Sequence, residues 1–482
     1  MAGLNTAPVL DRTYTHGGAI AAAHDKAPEQ LWRAVGATLL WEPTHYEAGT
    51  GIAKRIVDLV REVDPYVVQQ IAMDARTKLK LRHVPLWVAA ALAYRYRGQT
   101  PPARVIEDTI AEVVRRPDEI TELTLMYWLL NGRAAQTVGK FTPHKRLTSQ
   151  VKRGLARAFG RFNEYQLAKY DRAEALRLRD VLFLVHAKPR DAEQAALWKR
   201  LVDGKLATPD TWEVNLSTGK DKRETWERLL QEKKLGYMAL LKNLRNMLEV
   251  GIEQSALRDA LLAGAKGSGA LPYEFISAAR AVPKMEAALS DALAAATADM
   301  PKLCGRTLLV VDVSGSMQGS LGGKSKLNRL DAAGGLAVAA RALCDEVVVY
   351  ATAGSDYHRK HQTKELPDRP GLGFLDAAQR AVNELGGGGI FLKQAMDYIG
   401  DHERSPFKRV LVFTDEQDCD TDPAKAPSNA RKLGEFNYIM NVASYEHGIA
   451  TDGGWERISG FSEAVLNWIS FNETGETLVS FG

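Results

Sequence analysis

TLLVVDVSGSM, residues 307–317, decides the fold. Leu308 to Val311 are apolar without alternation, and the run stops abruptly at Asp312-Val313-Ser314-Gly315-Ser316. A short continuous apolar run that ends in turn residues predicts a strand covered on both faces. Outward from it, EVVVYATAG (346–354), RVLVFTDEQD (409–418) and FNYIMNVAS (436–444) repeat the pattern, with helical LDAAGGLAVAARAL (330–343) and LDAAQRAVNEL (375–385) between them. Strands alternating with helices predict an α/β, doubly wound parallel sheet over residues 301–482. Such sheets bind ligands beyond the carboxyl ends of their strands, which is where the acidic residues of this half fall.

The D-x-S-x-S at Asp312, Ser314 and Ser316 offers one carboxylate and two hydroxyls in alternation, and Gly315 permits the bend that lets their oxygens converge. A second strand, Val410 to Phe413, ends at Thr414-Asp415-Glu416 and would bring Asp415 to the same point. Mg²⁺ or another divalent cation is the ligand such oxygens suit. Helix capping by the same residues is the bland alternative. These residues resemble the metal-ion-dependent adhesion site of von Willebrand A domains, which implies a metal set of Asp312, Ser314, Ser316 and Asp415. The family completes its site with a threonine from a glycine-rich loop, whereas the loop here is Gly386-Gly387-Gly388-Gly389 and Gly388 stands where the threonine is expected. Gly322-Gly323-Lys324-Ser325 imitates the end of a phosphate loop, but Gln318 occupies the position of its first glycine and a linker is the better reading.

Residues 1–300 read as helix after helix. Ile52, Ile56, Leu59, Val60 and Val63 form one stripe, and Asp64-Pro65 then supplies a cap and first-turn proline for the next helix. Tyr237, Leu240, Leu241, Leu244 and Leu248 form another stripe. Helix pairs with short connections predict an α-solenoid of the HEAT kind, so a chain of 482 residues divides into a helical module at 1–300 and an α/β domain at 301–482. Three cysteines without metal-ligand spacing, no signal-like N-terminus and no long apolar run point to a cytoplasmic setting without membrane contact.

The net charge of +4 conceals an asymmetry, because residues 301–482 hold 19 Lys+Arg against 24 Asp+Glu and residues 1–300 hold 44 against 35. The densest positive charge lies at 144–190, with twelve Lys+Arg against four acids. Helical spacing aligns Lys145, Lys152, Arg153 and, less tightly, Arg157 in a strip that suits a phosphate backbone, with Arg146 and Arg161 in the same acid-poor stretch. Phe159, Phe162, Tyr165, Tyr170 and His186 are interleaved and offer rings for unpaired bases. A solvated face over core aromatics is the competing reading.

LAKYDRAEALRLRDVLFLVHAKP (167–189), TWEVNLS (211–217), TWERLL (225–230) and LGYMALLKNLRNM (235–247), all preceding the D-x-S-x-S strand, resemble the TROVE module of the Ro autoantigen family and its bacterial orthologues. The resemblance implies helical repeats closed into a ring with a von Willebrand A domain. It implies small Y RNA on the outer surface and single-stranded 3′ ends of misfolded RNA in a central cavity. Carried over residue by residue, it assigns RNA contacts to Lys169, Arg172 and His186, with Lys188 beside them. A 3′ exoribonuclease is the implied protein partner of a monomer. A metal-dependent adhesion scaffold is the second function class. A nuclease is disfavoured, since one D-x-S-x-S site lacks a second metal cluster or a nucleophile with its base.

Overall fold

The computed structural model describes residues 15, 18, 26–36, 38, 40, 49–132, 147–171, 176–320, 327–367, 369, 371–443, 445, 448–449, 454–460 and 464–474. They group into two compact units, one within 34–41 and 49–296 and the other within 1–33, 42–48 and 297–482. The division therefore differs from a single cut near residue 300, because described residues before 34 group with the C-terminal unit.

The first unit holds fifteen α-helices among the described residues, from Gly49–Glu62 to Glu286–Ala296. Ile52, Ile56, Leu59, Val60 and Val63 are all buried, and the Asp64 carboxylate accepts hydrogen bonds from the N–H groups of Tyr66 and Val67 at 2.9 and 3.3 Å. Of the second predicted stripe, Leu240, Leu241 and Leu244 are buried while Tyr237 and Leu248 lie at its margin. Helix His83–Arg95 buries ten consecutive residues, Val84 to Ala93, as a helix enclosed on all sides does. It packs on Asp118–Leu130, and Val105–Val113 packs on Ser149–Phe159, so each helix stacks on the next but one, as helical repeats do. At the second contact a Cβ on Gly154 would come within 2.8 Å of the Glu107 carbonyl oxygen, so the two backbones meet where one side chain is missing.

The second unit is built on six strands: β1 (Leu303–Asp312), β2 (Cys344–Ser355), β3 (Lys360–Glu365), β4 (Phe407–Thr414), β5 (Gly434–Asn441) and β6 (Glu456–Ser459). Their order is β3-β2-β1-β4-β5-β6, parallel throughout except for antiparallel β3 at the edge. Thr307 to Asp312 are buried in succession, so both faces of β1 are covered. Leu308, Val310, Val410, Val412 and Ile439 pack with Leu392, Met396 and Ile399 of helix Leu392–His402. Helix Arg329–Leu343 packs on β1, β2 and β4. β3 reads KHQTKE and lacks an apolar alternation, because an edge strand with exposed faces needs none. The chain runs from β1 to β2 on one side and places β4 on the other, which makes the gap between β1 and β4 the topological switch point.

Candidate functional site

Both strands at that switch point end in site residues. Val311 pairs with Phe413, which sets Asp312 beside Thr414 at the carboxyl edge of the sheet. The Thr414 hydroxyl donates to Asp312 Oδ2 at 2.6 Å, and the Ser314 N–H donates to Asp312 Oδ1 at 2.8 Å. Ser314 Oγ and Ser316 Oγ are 3.2 Å apart, and Ser316 hydrogen-bonds Asp415. The structure thus brings Asp312, Ser314, Ser316 and Asp415 together, all of them buried.

Two carboxylates in one buried pocket repel each other and resist ionisation. Burial, and then the charge of Asp312, pushes the Asp415 carboxyl up to about 7. Burial also raises Asp312 above its ordinary value, against hydrogen bonds from Ser314 and Thr414. Asp415 Oδ1 accepts from the Gln417 N–H at 3.2 Å, while its Oδ2 has no hydrogen-bond partner among the described residues. Such an orphaned carboxylate oxygen, beside a second carboxylate and two hydroxyls, fits a hard cation. No group of three or more His, Cys, Asp and Glu side chains gathers for a metal among the described residues, so this mixed set depends on its serines.

The glycine loop explains the missing threonine. A Cβ on Gly388 would overlap the Gly354 carbonyl oxygen, one on Gly389 would overlap Cys419 Sγ, and one on Gly315 would meet Gly387 O at 2.8 Å. The loop lies against the end of β2 and the Asp312–Ser316 turn with no room for a side chain at 388. Glu416, the residue after Asp415, adopts a left-handed φ of 62° and is fully buried. Arg33 Nη1 at 2.7 Å and Arg457 Nε at 3.0 Å hold its carboxylate. Glu416 is a positioning residue that sequence reading missed, since Arg33 is 383 positions away.

The basic segment divides in the structure. Lys145, Arg146 and Arg172 lie outside the described residues, as does Gly322 to Ser325. Arg153 pairs with Glu107 at 2.7 Å, and Arg157 pairs with Asp108 and, at 3.3 Å, with Glu107. Arg161 donates to Val114 O at 2.9 Å and lies 3.9 Å from Glu112. These three arginines thus fasten helix Ser149–Phe159 and the turn after it to Val105–Val113 and Val114, the residue that follows. Burial pushes the Glu107 carboxyl up, but hydrogen bonds from Arg153 and Arg104 outweigh it and leave it below its ordinary value. Phe159 and Phe162 are core residues, the former edge-on to Trp198 at 6.4 Å, and are closed to bases.

Other members of the segment stay accessible. Lys152 and Lys169 are half-buried, with Lys169 Nζ 5.7 Å from the Tyr170 ring centroid and Arg116 over the same ring at 4.6 Å. Tyr165 is exposed. His186 is exposed at the end of helix Leu178–Val185, where a left-handed φ of 52° turns the chain, and Lys188 is exposed two residues on.

Residues 187–321 match the TROVE domain family, a stretch that begins just after His186 and runs through β1 and the Asp312–Ser316 turn. Two curated relatives are Telomerase protein component 1 of Mus musculus, 37% identical over 92 residues, and that of Rattus norvegicus, 36% identical over 90 residues. Each match covers 18% of this chain and 3% of the relative, so the likeness concerns one segment of a much longer protein. Among solved structures, the crystal structure of the Deinococcus radiodurans RO (RSR) protein superposes with a TM-score of 0.56 at 18% identity, covering 94% of this chain and 100% of that one. At that identity the likeness speaks for the fold, helical repeats followed by an α/β domain. The chain thus matches the TROVE domain family over residues 187–321 and has a fold similar to that of a Ro protein.

Proposed function

We propose that this chain is a non-enzymatic RNA-binding scaffold that takes small Y-like RNA on its outer surface and single-stranded 3′ ends of misfolded RNA in a central cavity, in the service of RNA quality control or stress response. The TROVE-domain match and the Ro-like fold support an RNA-binding ribonucleoprotein. The observation that carries the finer reading is the exposed turn of His186 and Lys188, where neither side chain has an acidic partner among the described residues while neighbouring arginines are consumed by helix packing. A 3′ exoribonuclease as partner, a monomeric state and a cytoplasmic setting belong to the same proposal. Among the described residues no helix is long and apolar enough to cross a membrane.

Filter binding of a small structured RNA over a salt series tests this. Each phosphate contact contributes about 0.7 to 0.9 to the slope of log K against log salt, so Lys188→Ala and Lys169→Ala should each weaken binding and flatten the slope by about that amount. Salt-independent binding, or slopes unmoved in both variants, would reject the reading.

A second role rests on Asp415 Oδ2. The antiparallel edge strand β3, the strand order and the site between β1 and β4 support a von Willebrand A-like domain in which Asp312, Ser314, Ser316 and Asp415 hold Mg²⁺ or another divalent cation. A partner carboxylate could then complete the ion's shell, giving a metal-dependent protein-binding surface. Thermal melts with and without MgCl₂ should show a metal-dependent rise in Tm that Asp415→Asn abolishes.

A further inference from the structure

Helix Leu178–Val185 buries Leu178, Val181, Leu182 and Val185, which is a complete apolar stripe at spacings of three and four residues. Phe183 lies off that stripe and is 60% exposed. Among the phenylalanines whose burial is described, it alone is exposed. A buried phenylalanine stabilises a fold by about 1.5–3 kcal/mol, so a ring held largely in water forgoes most of that contribution. Packing does not account for its presence.

Its neighbours indicate what it meets. Arg179 lies four residues before Phe183 and His186 three residues after, which puts all three on one side of the helix and its cap. Arg179 is half-buried, with the Asp180 carboxylate 4.0 Å away and the charge of Asp171 also within its reach. His186 and Lys188 are exposed where the chain turns away. A lone aromatic face bracketed by cations suits a ligand that is planar and apolar on one surface and anionic a few ångströms away.

We propose that Phe183 is a stacking platform for one unpaired base of RNA, with Arg179 and Lys188 taking the flanking phosphates. The proposal rests on the RNA-binding reading above and adds the feature that discriminates single strands from duplex. Every base presents a π-face when unpaired and hides it when stacked in a helix, so a platform of this kind is tolerant of sequence but not of pairing. A membrane surface would need a continuous apolar face, and the apolar face of this helix is turned into the core.

The test uses the full chain, a fluorescent ten-nucleotide single-stranded RNA and the same strand in a blunt duplex, read by anisotropy at fixed salt. Stacking on one aromatic side chain changes affinity by roughly 5- to 150-fold per base, so Phe183→Ala should lose that much on the single strand and almost nothing on the duplex. Phe183→Trp should keep the single-strand affinity, and 5-iodouridine in the strand should crosslink to residue 183. Unchanged single-strand affinity in Phe183→Ala, with the parent binding normally, overturns the platform and leaves the RNA-binding reading intact. Equal losses on both RNAs also overturn it. A parent chain that binds neither RNA overturns both.

Discussion

Gly388 shows how one residue sets the terms of a site. The threonine expected at this position has no room, because its Cβ would overlap the Gly354 carbonyl oxygen. Gly388→Thr is therefore expected to destabilise the fold by about 1–3 kcal/mol, as overpacking does, rather than to restore a metal ligand; a lower Tm with no gain in Mg²⁺ response would bear this out. Asp418 provides a second residue-level prediction. It accepts from the N–H groups of Leu392 at 2.7 Å and Asp420 at 2.8 Å, and burial pushes its carboxyl up to about 7. Between about pH 4 and pH 7 the folded state keeps a proton that the unfolded chain releases, so stability falls as pH rises through that window, by up to about 1.4 kcal/mol per pH unit. The contribution is fully present below the unfolded value and lost above the folded one. Denaturant melts of Asp418→Asn should show a shallower slope over this range, the remainder coming from Asp415, whose shift has the same sign.

At the scale of elements, the arginines of helix Ser149–Phe159 serve packing. Arg153 and Arg157 close over Glu107, whose side chain is nearly inaccessible, and removing both leaves a buried carboxylate with less compensation. Because the arginines themselves are partly exposed, the expected loss for Arg153→Ala with Arg157→Ala is about 1–3 kcal/mol. The same double variant should bind RNA with nearly parental affinity, in contrast to Lys188→Ala, which should retain its Tm and lose affinity. A double variant that loses affinity without losing stability would return these arginines to the RNA surface. Helix Leu178–Val185 presents the converse case: VLFLV looks like uninterrupted core in one dimension, yet its third member faces solvent once the helix turns.

For the whole molecule, the charge is divided between chain halves, +9 over residues 1–300 and −5 over 301–482, counted as 44 − 35 and 19 − 24. RNA should be held by the positive half and repelled by the negative one. The proposed metal set lies in the negative half. Asp312→Ala is accordingly expected to abolish any Mg²⁺-dependent rise in Tm while leaving the salt slope of RNA binding unaltered at constant ionic strength. A changed slope would reveal coupling between the two sites.

Local order along the chain was enough to determine the helical and α/β halves, the β1 turn with its serines, and Asp415 at the end of β4, because apolar periodicity and turn residues act between near neighbours. It was also enough to mark 144–190 as cationic, since charge adds up without reference to shape. Tertiary structure decided which of those cations remain available, because Arg153 and Arg157 find their acids 46 to 50 residues upstream. It decided likewise that Phe183 is exposed, that Gly388 admits no side chain, and that Arg33 braces Glu416. Each of these depends on which distant backbone arrives within a few ångströms, and spacing along a single chain carries no record of that distance.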